Sequence, residues 1–187
     1  MEGNRMHEKQ KLQLITATAL LAAMITIMTA YICHIPVGIN GGYIHFGDAL
    51  IYIGAALLPQ PYALIAAAIG GGMADLLTAP MWVPATLIIK IMITLPFSSK
   101  DSRIITCRNI IASAAAFLIT GFGYYIAAIL LFGKGSALLV SLSQSAIQSL
   151  GSMVLFLVLG TMLDRIHFKN RMFPLSIKDK NNTVKKQ

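Results

Sequence analysis

From Leu12 to Cys33 the chain reads LQLITATALLAAMITIMTAYIC, 22 residues without a single charge. At about 1.5 Å per residue such a run spans roughly 33 Å as a helix, enough to cross a hydrocarbon layer of about 30 Å. Arg5, Lys9 and Lys11 ahead of it resemble the basic region of a secretory signal. The run exceeds the roughly 7–15 residues of a signal core, however, and no A-x-A cleavage site follows it. It reads as a retained transmembrane helix, preceded by a short arm over residues 1–11.

The rest of the chain agrees. Of 187 residues 56% are hydrophobic and 12% charged, against about 25% charged in a soluble domain. Further apolar segments follow at about 47–58, 62–78, 84–97, 109–132 and 138–164, with the turn signal Pro59-Gln60-Pro61 after the second helix and Pro84 opening the fourth. The expected fold is an all-α integral membrane protein: a compact six-transmembrane-helix bundle over residues 12–165, with a basic tail at 166–187 expected to be disordered. The second and fourth segments are short for simple spans, which suits a bundle with a cavity at one end.

Charge orients the bundle. Both termini of a six-helix chain share a side, and that side, with the 98–108 loop, collects 13 of the 15 Lys and Arg residues. The positive-inside rule makes it cytoplasmic in a plasma membrane, N-in and C-in. The net charge of +8 is thus a footprint of topology, and no nucleic-acid partner is implied. Cys33 and Cys107 fall at opposite faces and cannot pair.

In this frame the stretch GGYIHFGD, residues 41–48, forms the first outer loop. Its two glycines suit a loop that bends sharply or closes over something. Asp48 is placed to favour the first turn of the second helix, or to meet a ligand together with His45. Asp75 and Lys90 are the ionisable groups expected deeper, Lys90 about 9 Å below the outer end of the fourth helix. Charges there are costly and face a partner or a cavity. Two readings stand side by side: an Asp75–Lys90 ion pair stapling adjacent helices, and a Lys90 contact to a polar ligand. On the sixth helix Ser141, Gln144, Ser145, Gln148, Ser149 and Ser152 recur on one face, where they bond across helices or line a wet cavity. Trp82, Tyr124 and Tyr125 lie at the same level, either as interfacial belt residues or as flat walls for a ring. Together these groups outline an outward-facing pocket for a small, polar, ring-containing molecule, with His45, Asp48, Trp82, Lys90, Tyr125, Gln144 and Gln148 as candidate binding residues.

Small residues form two stripes. Thr16, Ala19, Ala23, Thr26 and Ala30 run along the first helix; Ala66, Ala67, Gly70, Gly71, Gly72 and Ala74 cluster on the third. Such stripes let helix backbones approach closely in lipid. One serves internal packing, and the other is a candidate docking face for a membrane partner. No phosphate-binding G-x-x-x-x-G-K-[ST] loop, H-E-x-x-H or G-x-S-x-G motif occurs. No nucleophile–base pair points to an enzyme, and no cofactor is indicated. His45 and Asp48, with only His34 nearby, make too thin a set for a metal site.

GGYIHFGD before the second helix, GGGMADLL at residues 70–77 and PATLIIK at residues 84–90 together resemble the substrate-binding S components of energy-coupling factor (ECF) vitamin transporters, nearest the riboflavin-type group. The likeness covers about residues 12–165. It implies a protein that binds a vitamin or precursor from outside beneath its first outer loop. It also implies docking, through small residues matched here by Ala19 and Ala23, onto a transmembrane T component with two ABC ATPase subunits. A self-sufficient secondary transporter of a polar aromatic metabolite is the alternative; the lack of an evident internal repeat argues against it.

Overall fold

The structure is a computed structural model that describes residues 2–32, 35–36, 43–133 and 137–173, excepting the side chains of 2–6, 35–36, 43–44, 132 and 137–144. Apolar, Gly- and Pro-punctuated sequence becomes helix almost throughout: α1 (Glu2–Ala30), α2 (Gly47–Leu57), α3 (Gln60–Thr78), α4 (Val83–Thr94), α5 (Cys107–Phe132), α6 (Ala137–Arg165) and a short α7 (Phe168–Met172). Proline stands in the first turn of α3 and α4, where its missing N–H has no helical partner to lose. The Thr106 hydroxyl caps α5 by accepting the Asn109 N–H at 3.2 Å. Between α1 and α2 a minimal antiparallel ladder pairs β1 (Ile35–Pro36) with β2 (Tyr43–Ile44). Gly41 and Gly42, the expected hinge of the first loop, lie outside the described residues, as do Cys33 and His34.

Among the described residues four helices are long and apolar enough to cross a membrane, within His7–Ala30, Gln60–Thr78, Cys107–Leu131 and Ser145–Arg165; Gly47–Leu57 and Pro80–Thr94 are shorter and apolar. Large side chains such as Leu20, Ile69, Ile88, Leu118, Leu130 and Leu150 stand exposed, as lipid contact requires and water forbids. The chain is a multi-pass membrane protein. The 11 residues of α2 cover only about 16 Å, and the reason such a short helix is tolerated is its position. It touches every one of α1, α3, α4, α5 and α6, and nine of its residues are buried.

Contacts set the helix directions. Thr29 lies against Gly47 and Leu21 against Gly54, so α1 and α2 are antiparallel. Asp75 meets Thr86, and Gly71 meets the Lys90 stem, so α3 and α4 are antiparallel too. Asp48 meets Gln148 and Tyr52 meets Phe156, so α2 and α6 run in parallel. The small residues of α3 are the internal stripe, all six buried. A Cβ on Gly70 would come 2.7 Å from Ile25 and 2.9 Å from the Ala22 carbonyl, and Thr26 bonds across to the Gly70 carbonyl at 3.1 Å. The α1 stripe divides differently. Ala30 is buried, whereas Ala19 and Ala23 are exposed beside an apolar groove of about 630 Å³ between α1 and α3.

Below the short α2 the core is aromatic. Tyr52 stacks on Phe97 at 5.1 Å, and Phe156 meets both rings edge-on at 6.0 and 5.8 Å. The end of the bundle beyond it is latched by polar side chains. Buried Asn109 accepts the Ser98 N–H at 2.8 Å and donates to the carbonyls of Ser98 and Ile104 at 3.0 and 2.9 Å. Asp164 accepts the N–H groups of Ile104 and Ile105 at 2.7 and 2.9 Å. The 98–108 loop is therefore held by satisfied backbone groups. The disordered tail expected from residue 166 is corrected as far as Phe173. α7 folds back, Lys169 is buried and donates to the Ala56 carbonyl at 2.6 Å, and Gln13 donates to the Met172 carbonyl at 2.5 Å. Residues 174–187 lie outside the described ones.

Gly70→Val is expected to wedge α1 from α3 and to destabilise the fold by about 1–3 kcal/mol, the usual cost of overpacking. A lowered thermal midpoint of the detergent-solubilised protein checks this; an unchanged midpoint would show that the helices do not depend on that contact.

Candidate binding site

The pole of the bundle where α2 begins is where ionisable groups collect. Asp48, in the first turn of α2, is wholly buried. Its Oδ1 accepts from the Lys90 Nζ at 2.5 Å and its Oδ2 from the Gln148 Nε2 at 2.9 Å. One carboxylate thereby ties α2, α4 and α6 together. Lys90 reaches it because Gly71 leaves space for its stem: a Cβ there would stand 2.8 Å from the Lys90 Cγ. The ammonium also lies 5.9 Å from the centre of the Tyr124 ring, within cation–π range.

A second chain of contacts runs beside the first. Thr86 donates to the Asp75 carboxylate and bonds the Tyr124 hydroxyl at 2.9 Å. The Tyr124 ring meets Trp82 edge-on at 5.8 Å. At the start of α2 the His45 Nδ1 accepts the Gly47 N–H at 3.1 Å, which leaves the proton of a neutral ring on Nε2. Phe46 sits so close over α6 that a Cβ on Gly151 would fall 2.1 Å from its ring. The end of the first loop is thus packed against α6 about one turn along from Gln148.

Of the residues singled out from sequence, Asp48, Lys90 and Gln148 come together, with His45 three positions ahead on the same loop. Trp82 joins through Tyr124. Lys90 pairs with Asp48, a partner that lies 42 positions away in sequence, where one of the two readings of the sequence offered Asp75; the Asp75 carboxylate accepts from Thr86. On α5 it is Tyr124, not Tyr125, that bonds Thr86, since neighbouring helical residues point about 100° apart. The inward turn of the α6 polar face holds for Ser145, Gln148, Ser149 and Ser152, all buried. The side chains of Ser141 and Gln144 lie outside the described ones. Thr86 and Tyr52, absent from the expected set, stand one turn from Lys90 and Asp48 respectively, and that i,i+4 spacing was the signal for them.

Among the described residues the buried hydroxyls of Tyr52, Thr120, Ser149 and Ser152 have no hydrogen-bond partner. Ser149 and Ser152 follow Gln148 on the same inward face. The pole accordingly combines a neutralised ion pair, an amide, hydroxyls with bonding capacity and two aromatic rings.

The family model for the ECF-type riboflavin transporter, S component, matches residues 9–165. A protein of Pyrococcus woesei, described as an uncharacterized protein in the gap 3' region, is 28% identical over 112 residues, covering 59% of this chain and 75% of its own.

Lys90→Met is expected to destabilise the protein by about 3–5 kcal/mol, because it strands a buried carboxylate. Asp48→Asn in the same chain recovers much of that loss, since the stranded charge is gone. Thermal midpoints of the two single variants and the double variant check the coupling; strict additivity would mean that the two side chains act independently.

Proposed function

We propose, from the premise that this chain belongs to the family of ECF-type riboflavin transporter S components, that it captures riboflavin or a related ring-bearing vitamin at the outer face of the membrane. It then delivers that vitamin with a transmembrane T component and two ATPase subunits. Family membership makes it a vitamin-type substrate-binding subunit of a transporter. The particular vitamin, the partners and the orientation belong to the proposal.

The observation that carries the reading is the tie of Asp48 to α4 and α6 beside the end of the first loop. It gives the pole a rigid polar floor. In this reading Asp48 and Lys90 are positioning residues: each already satisfies the other, so their charges hold the walls. Contact with the ligand falls to other side chains assigned to this pole. These are His45 from the loop, Gln144 and Gln148 from α6, and the rings of Trp82 and Tyr125 together with Tyr124. A flavin offers a flat ring for the aromatics and carbonyl and N–H groups for the amides.

Six crossings with both termini cytoplasmic complete the proposal. The gathering of 13 of 15 basic residues on one side supports it, as do the alternating helix directions. The floor then lies outside and the Asn109–Asp164 latch inside. Exposed Ala19 and Ala23 on α1 supply the close-approach surface for the T component.

Titrating riboflavin with the purified chain is expected to quench flavin fluorescence saturably at one site per chain. Gln148→Ala weakens binding about tenfold, equivalent to about 1.4 kcal/mol. Absence of both quenching by riboflavin and thermal stabilisation by any of a panel of water-soluble vitamins would sink the reading. Ala19→Leu is expected to leave that binding unchanged and to abolish uptake in cells that also express the T component and ATPases. Full uptake by this variant would remove α1 as the docking helix.

A further inference from the structure

The two ends of the bundle differ, and the end away from Asp48 carries two adjoining hollows. The first, of about 760 Å³, is lined by Lys100, Arg108, Lys169 and the single acid Asp101, with Ser98 and Ser102 among its hydroxyls. Three cations face one carboxylate, so the hollow selects an anion. The Arg108 Nε donates to the Pro96 carbonyl at 3.1 Å, which leaves the other N–H donors of its fork for a further acceptor.

The second hollow, of about 460 Å³, is a groove floored by α2 at Leu50, Ile53 and Gly54. Its walls include Leu20 and Met24 of α1 and Leu159 and Met162 of α6. Among the described residues no ionisable side chain lines it. Leu57 and Phe173 line both hollows, so the two adjoin at these side chains. From Leu57 the groove runs along α2 toward Leu50, about 10 Å into the bundle's depth.

We infer that this end of the protein holds an anionic phospholipid, its phosphate among Lys100, Arg108 and Lys169 and one acyl chain in the groove between α1 and α6. A free anion accounts for the basic hollow alone, and hydrocarbon accounts for the groove alone. A phospholipid has both parts, joined in the order and direction in which the hollows are joined. Its headgroup sits at the end of the bundle and its chain points toward the middle of the bilayer, as in an ordinary leaflet. The lipid would also lie against Lys169 and Phe173, which fasten α7 to α2, so occupancy stabilises the latched end.

The test uses the full chain, delipidated in detergent, and follows its thermal midpoint with added phosphatidylglycerol, with phosphatidylcholine of the same acyl chains, and with inorganic phosphate. Phosphatidylglycerol is expected to raise the midpoint by several degrees and the other two to leave it nearly unchanged. Lys100→Gln with Arg108→Gln, both exposed positions, removes more than half of the increment while riboflavin affinity stays within about twofold. Ala17→Phe fills the groove and weakens phosphatidylglycerol binding about tenfold with the charges intact. Equal increments from the two lipids, or an undiminished increment in the double variant, overturns the inference. An equal increment from inorganic phosphate assigns the hollow to a free anion and overturns the lipid. Riboflavin binding is read separately, so either result stands whatever the vitamin titration shows.

Discussion

A charge placed in hydrocarbon must be neutralised where it stands, and the Asp48–Lys90 pair meets that demand at the start of the shortest core helix. Desolvating either ion alone costs several kcal/mol. Their bond at 2.5 Å, with Gln148 on the second carboxylate oxygen, removes the reason for either to seek lipid headgroups or water. The consequence is geometric. α2, α4 and α6 are held level at one pole, and the loop that enters α2 is carried to the same place. The close approach of α3 to α4 follows from the same need, since Gly71 admits the Lys90 stem.

The bundle has two poles of different construction. At one, hydroxyls with bonding capacity, an amide and aromatic rings surround a settled ion pair. At the other, Asn109, Asp164 and Lys169 spend their hydrogen bonds on backbone groups of the 98–105 segment and of α2. A binding subunit needs this asymmetry: groups free to meet a ligand at one end, and walls that keep their spacing at the other. The packed Tyr52, Phe97 and Phe156 rings separate the two with a dense apolar layer, each aromatic pair adding about 0.5–1.5 kcal/mol beyond its buried area. The shortness of α2 follows from the same plan. It need not match the full thickness of the bilayer because five neighbours enclose it.

Much of this was legible in one dimension. Runs of apolar residues bounded by Pro59-Gln60-Pro61 and Pro84 marked α2 to α6 to within a few positions, because hydrocarbon enforces length and hydropathy together; α1 instead begins at Glu2, ten residues ahead of the expected start, and takes in most of the arm. Polar residues recurring on one side of α6 announced an inward face, and four of them are buried there. Where the reading went astray, the cause was distance along the chain. Lys90 and Asp75 are near neighbours on consecutive helices, so pairing them was the local choice, while the bonded partner comes from α2. Tyr124 and Tyr125 are indistinguishable by composition, and only the rotation of α5 against α4 selects Tyr124 for Thr86. The order of residues 166–173 was hidden because Lys169 looks like any basic tail residue until the Ala56 carbonyl is brought to it.

By itself, then, the sequence determined that this chain lives in a membrane, where its helices lie, and that polar chemistry gathers in the half that holds Asp48, Asp75 and Lys90. These are properties of single segments, set by the free energy of placing each side chain in hydrocarbon or water. Only the tertiary structure decided which carboxylate neutralises Lys90, which tyrosine joins the network, and which small-residue stripe is consumed inside the bundle. Those outcomes depend on register and rotation between helices, and many weak packing contacts set them together, none of them carried by one segment alone.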